Sequence, residues 1–153
     1  MVKVLFICHG NICRSPMAEY LFKDYVIKNN NINNFIICSK ATSSEEIGNS
    51  IYPPVKRLLL DYGIDSSNHR ASKLTRDMYN EYDYLIVMDD NNYRNTLRII
   101  GNDPLNKVHK LLEYTYSNDD ILDPWYTRDF KACYNDISKG IKALYSYIIN
   151  HNF

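Results

Sequence analysis

The chain has 153 residues, the usual size of one domain and enough to bury a core, so one domain over residues 1–153 is expected. It carries 18 basic and 18 acidic residues; the basic excess of nucleic-acid binders is missing, and no nucleic-acid partner is expected. No apolar run is long enough to span a bilayer, residues 2–7 are too short for a signal-peptide core, and four cysteines in such a length suit a reducing compartment, so the expected location is cytoplasmic.

In chain order, Val2-Lys3-Val4-Leu5-Phe6-Ile7 is a nearly continuous apolar run, the pattern of a strand covered on both faces. Gly10 and Asn11 tolerate turn conformations that other residues resist. Ser15-Pro16 then predicts a helix start, with Ser15 at the cap and Pro16 at the first helical position. The helix runs over residues 17–27, with Ala18, Leu21, Phe22 and Tyr25 at three- and four-residue spacings. Residues 28–34, rich in asparagine, form a loop, and 35–38 a second buried strand. Pro53-Pro54 opens a helix through Val55, Leu58, Leu59 and Tyr62 that stops at Gly63. Residues 84–88 are a third apolar strand, 91–100 a polar helix ending at Gly101, and 108–112 a weaker fourth strand. Phe130, Cys133, Tyr134, Ile137, Ile141, Leu144, Tyr145 and Ile148 mark a long amphipathic C-terminal helix. Cys38 and Cys133 fall at expected core positions. Strands alternating with helices predict an α/β fold, a parallel sheet with helices on both faces. Ligands bind such sheets beyond the carboxyl ends of the strands.

The nine residues Cys8-His9-Gly10-Asn11-Ile12-Cys13-Arg14-Ser15-Pro16 lie at that end of the first strand. A strand, a tight loop and a helix start aim backbone N–H groups at an anion. The same field favours a thiolate at Cys8. Arg14 offers a planar fork for two oxygens of a tetrahedral oxyanion. Spacing alone is a weak signal; its placement between strand and helix start gives it weight. Cleaving a phosphate ester with a thiolate also needs a proton donor for the departing oxygen. Asp123, made extended by Pro124, is one choice, with Trp125 and Tyr126 beside it to line an aromatic slot. Asp119 and Asp120 are rivals that spacing does not exclude. An ordinary Asp-Pro turn with both aromatics packed inward fits these residues equally well.

Cys8 through Glu19, Ser39 with Ala41-Thr42-Ser43, Glu46-Ile47-Gly48-Asn49, Asp83-Tyr84-Leu85-Ile86-Val87-Met88-Asp89 and Asp123-Pro124-Trp125-Tyr126 together resemble the low-molecular-weight protein tyrosine phosphatases. The resemblance implies a four-stranded parallel sheet in three layers, with the phosphate-binding loop after the first strand. It implies phosphotyrosine hydrolysis through a cysteinyl phosphate, with Cys8 as nucleophile, Arg14 as clamp and Asp123 as acid and base, needing no metal or cofactor. It also implies substrate contacts from His9, Gly10, Asn11, Ile12, Cys13, Glu45, Trp125 and Tyr126. Asn11, Ser15, Ser39 and His69 are implied as braces of the loop, each of which could otherwise be a local turn or cap partner. Cys13 could trap an oxidised Cys8 as a disulfide, or simply pack. The implied partners are a tyrosine-phosphorylated protein or peptide and inorganic phosphate or another oxyanion. Three departures bear on specificity: His9 where an aliphatic residue is usual, Glu45 in place of a rim aromatic, and no arginine three residues after His69.

Four other functions compete, one of them a non-catalytic phosphotyrosine reader, against which nucleophile, clamp and acid retained together count. An arsenate reductase of the same fold needs further cysteines in mid-chain, and residues 70–100 contain none. A cysteine phosphocarrier must keep water from its phosphoryl group, which a hydrolytic Asp123 would defeat. A metal module built from Cys8, His9 and Cys13 lacks a fuller cluster.

Overall fold

A computed structural model describes residues 1–153. The apolar N-terminal run forms β1 (Val2–Cys8), and its alternating side chains are buried on both faces. Val4, Phe6 and Cys8 belong to one core cluster, and Leu5 and Ile7 to another. This two-sided burial puts β1 inside a parallel sheet, between β2 (Phe35–Ala41) and β3 (Tyr84–Val87), with β4 (Val108–Lys110) beyond β3. All pairs are parallel, and Cys8 stands opposite Ala41 at the carboxyl end.

Helix α1 (Arg14–Lys28), helix α2 (Pro53–Asp61) and the C-terminal helix cover the Phe6 face through Met17, Phe22, Val55, Leu59, Ile137 and Leu144. Leu74, Tyr79 of the short α3 (Met78–Glu81) and Ile100 of α4 (Asp90–Ile100) cover the Leu5 face. The three-layer α/β fold expected from the sequence is therefore present. The C-terminal helix, numbered α6 (Phe130–Asn152), follows a one-turn α5 (Pro124–Thr127) that periodicity is too short to reveal. Gly140 in α6 sits where a Cβ would come 2.5 Å from Leu111, so this helix approaches the sheet edge more closely than any larger residue permits. No helix is long and apolar enough to cross a membrane.

Several boundaries differ from expectation. Helix α1 begins at Arg14, with Cys13 as its cap residue and no side-chain cap bond, so Ser15 does not cap it. Pro16 is the third helical residue, still within the turn whose N–H groups have no intrahelical partner. The loop before β2 contains a 3-10 turn, Ile32–Asn34. Strand β4 stops at Lys110 because Leu111 and Leu112 turn into a 3-10 segment, Leu111–Thr115, and bury with the first cluster. Cys38 is only half-buried, since β2 is an edge strand whose outer face is partly open; Ile36 on that face is exposed. Cys133 is buried as expected.

Candidate active site

Between the end of β1 and the start of α1 the chain folds around one sulfur. Asn11 N lies 3.3 Å and Ser15 N 3.4 Å from Cys8 Sγ, and the Ser15 hydroxyl lies 3.0 Å away. Ser15 belongs to the first turn of α1, where the helix end adds positive potential, and Asn11 to the loop just before it. The tight turn depends on Asn11, at φ 59°, a left-handed conformation that asparagine tolerates. Gly10 has no positive φ, and a Cβ there would make ordinary contact with Glu46 at 3.5 Å. The turn is therefore carried by Asn11 alone.

Asn11 is also completely buried and holds the loop from behind. Its amide donates to Ser15 Oγ (2.8 Å) and Ser39 Oγ (2.9 Å), and its side-chain oxygen accepts from Ser72 N. Ser39 in turn donates to Glu19 at 2.6 Å. His69 Nε2 stands 2.7 Å from Asn11 O, so that nitrogen is the protonated one. Burial lowers the His69 pKa, and the bond to Asn11 offsets only part of that. The four residues implied as braces are thus assembled into one network. Asn11's side chain does not reach the cleft; only its N–H faces the sulfur.

The cleft, about 120 Å³, is lined by Cys8, His9, Gly10, Ile12, Cys13, Arg14, Glu45, Glu46, Asp123, Trp125 and Tyr126. Arg14 is nearly inaccessible and donates through Nη1 to Asp89 Oδ2 (2.7 Å) and Ile121 O (2.8 Å). Its Nη2 is 3.5 Å from Asp123 Oδ2. Burial alone would lower the guanidinium's pKa, but Cys8, Asp89 and Asp123 outweigh that and raise it. Asp123 caps α5, accepting from Trp125 N at 3.0 Å, with the extended backbone that Pro124 imposes. Its rival Asp120 is engaged by Lys110, and neither Asp119 nor Asp120 lines the cleft. Trp125 leans on Tyr52, ring centres 4.8 Å apart, yet both Trp125 and Tyr126 are exposed at the mouth rather than packed inward.

On the opposite rim His9 Nε2 pairs with Glu45 at 3.1 Å. Cys8, His9 and Cys13 do not converge as a metal site. Burial first, and then Cys8 and Asp123, push the Cys13 thiol far up; burial pushes Cys133 up to about 12. Two residues were not anticipated in the site. Glu46 lines the cleft, and Asp89 orients Arg14 from the far end of β3. The signal for Asp89 was available, an acidic pair directly after a buried strand, but it served only as part of a matching segment.

A buried guanidinium and a carboxylate gather around a sulfur at the carboxyl end of a parallel sheet, the end at which α/β enzymes bind their ligands. The family model for low molecular weight phosphotyrosine protein phosphatase matches residues 3–152, and the chain belongs to that family. It is 31% identical over 150 residues to the low molecular weight protein-tyrosine-phosphatase YfkJ of Bacillus subtilis, covering 97% of this chain and 96% of that one. The crystal structure of YfkJ superposes with a TM-score of 0.96 and 30% identity, covering 100% of this chain and 98% of the other. The low molecular weight phosphotyrosine protein phosphatase of Sus scrofa is 36% identical over 146 residues, 92% of this chain and 91% of its own. A structure of the YwlE arginine phosphatase, a cysteine-to-serine mutant with a phosphorylated active-site serine, has a TM-score of 0.87 at 26% identity, covering 99% and 98%. The chain is an enzyme of the protein-tyrosine-phosphatase kind, with a phosphoprotein as substrate and a site for phosphate.

Proposed function

We propose that this enzyme hydrolyses phosphotyrosine, and small aryl phosphates, through a phosphate ester formed on Cys8. The Cys8 thiolate attacks phosphorus in line as the bond from phosphorus to the tyrosine oxygen breaks. Loop N–H groups and the Arg14 guanidinium hold the equatorial oxygens. Asp123 gives its proton to the departing oxygen, then as a carboxylate takes one from the water that cleaves the sulfur–phosphorus bond, releasing inorganic phosphate and the thiolate. The observation that carries this reading is the convergence of Cys8, Arg14 and Asp123 on one cleft. The phosphorylated nucleophile position named for the arginine phosphatase structure lends it support. Trp125 and Tyr126 suit an aromatic leaving group at the mouth. We take residues 1–153 as one domain, and four cysteines in a chain of this length suit the reducing cytoplasm.

An arsenate reductase would need further thiols to resolve arsenic from sulfur. Cys13 lines the cleft beside Cys8, whereas Cys38 and Cys133 do not, which favours the phosphatase. The test is hydrolysis of a chromogenic aryl phosphate, with vanadate inhibiting and a chelator having no effect. Cys8→Ser should abolish turnover while retaining phosphate binding; near-normal activity would overturn the assignment. Asp123→Ala should lower kcat/KM by about 10²–10⁴ for phenyl phosphate and far less for para-nitrophenyl phosphate, whose leaving group needs little proton help. Equal losses on both esters would remove Asp123 from the acid's role.

A further inference from the structure

The segment that carries Asp123 has no regular structure of its own. From Tyr116 to Asp123 the chain forms neither helix nor strand, and Leu122 is exposed. Its position is set by bonds made elsewhere. Ile121 N donates to Met88 O at the end of the sheet (2.9 Å), and Ile121 O accepts from Arg14. A second fastening centres on a single ammonium. Lys110, the last residue of β4, is only 7% exposed and does not line the cleft. Its Nζ donates to Asn118 O and to Asp120 Oδ1, and pairs with Asp90 Oδ1 at 3.0 Å. The same Asp120 oxygen accepts from Asp90 N, at the start of α4, at 3.2 Å.

One side chain thereby ties three elements together: the sheet edge, the N-terminus of α4 and the segment leading to Asp123. Three acceptors match the three N–H donors of an ammonium. Burial alone would lower its pKa, but Asp90 and Asp120 outweigh that and raise it, so the tie stays charged. An apolar side chain would fill the same space with less desolvation. What the ammonium adds is a defined place for Asn118 and Asp120.

We propose that Lys110 is a positioning residue for catalysis, holding Asn118 and Asp120 against the sheet so that Asp123, three residues further on, reaches the leaving oxygen. The inference rests on Asp123 as the general acid. Displacing an acid by about 1 Å can cost up to about a hundredfold in rate, and only where proton transfer matters.

The experiment compares kcat/KM for phenyl phosphate and para-nitrophenyl phosphate in the wild type, Lys110→Met, Lys110→Arg, Asp120→Ala, Asp123→Ala and the double variant Lys110→Met with Asp123→Ala. Lys110→Met should lose about tenfold or more on phenyl phosphate and less than about threefold on the nitro ester. Lys110→Arg should recover most of that loss, since it can keep both carboxylates. Asp120→Ala, which removes the oxygen that Lys110 holds and leaves the Lys110–Asp90 pair in place, should reproduce the same ester-dependent loss even if Lys110→Met folds poorly. On the Asp123→Ala background Lys110→Met should cost nothing more. Equal losses on both esters, or a further loss on that background, would overturn the positioning role. If Asp123→Ala alone loses equally on both esters, the acid assignment fails first and takes this inference with it.

Discussion

Asp89 is the residue whose removal the structure predicts in most detail, because its two oxygens have separate tasks. Oδ2 accepts from the buried Arg14 guanidinium at 2.7 Å, and Oδ1 caps α4 by accepting from Asn92 N at 2.7 Å. The pair is well shielded, with side-chain exposures of 3% and 19%. Asp89→Asn leaves an oxygen for the cap but replaces a charge-assisted bond, a loss of about 1.5–3 kcal/mol. Asp89→Ala removes the cap as well, worth about 1 kcal/mol, and its total should approach about 3–4 kcal/mol. Ile121 O and Asp123 still partner Arg14, which keeps the cost near the lower end of what breaking a buried pair brings. At roughly 2–4 °C per kcal/mol for a chain of this length, Asp89→Ala should melt about 10 °C lower. Urea unfolding near neutral pH gives the free energies, and kcat/KM should fall in both variants as Arg14 loses its orienting partner and turns to Asp123. The reasoning would be refuted by an Asp89→Ala variant within about 0.5 kcal/mol of wild type. Equal losses for alanine and asparagine would remove the separate cap contribution.

Two further predictions concern pH and the rim. The folded-state pKa of His69 is depressed by burial below its ordinary 6.5, so the unfolded chain takes up a proton first as pH falls. The stability His69 contributes is therefore complete above 6.5 and is lost as pH drops toward the lower folded value; the gap in urea midpoint between about pH 7.5 and about pH 5.5 should narrow in His69→Gln, and an unchanged gap would exclude this histidine. The His9–Glu45 pair is exposed, so Glu45→Gln should change stability by less than about 1 kcal/mol. It should nevertheless raise kcat/KM severalfold for phosphopeptides with acidic residues beside the phosphotyrosine, and equal rates on acidic and neutral peptides before and after substitution would show that Glu45 does not face substrate.

The course of the loop at Cys8 was legible because the features that set it are local, whereas its braces Ser39, His69 and Ser72 come from far along the chain. An apolar strand, an Asn able to take positive φ and a helix start within nine residues dictate where the sulfur, the amides and Arg14 fall. The Asp123 loop was half legible: Pro124 predicts its extended backbone, but Asp119 and Asp120 had the same composition until Lys110 was seen to occupy Asp120. Boundaries slipped where a neighbour, rather than propensity, ends an element. Leu111 leaves β4 to meet α6 at Gly140, and α1 starts early because its first turn is bent around a sulfur.

Local pattern and spacing by themselves determined the parallel α/β order, the position of the thiol and its flanking helix, and the aspartate–proline turn. Ser39 and His69 could be named only through likeness to relatives, since nothing near them in the chain marks them. The tertiary structure alone decided that Asp89, 75 residues from Arg14, would orient its guanidinium, and that Lys110 would fasten the acid's loop. The reason is physical. Turns and caps are made by residues that are neighbours in the chain, whereas a buried charge is satisfied by whichever partner the sheet's register and crossovers bring within 3 Å, and no short stretch of sequence encodes that.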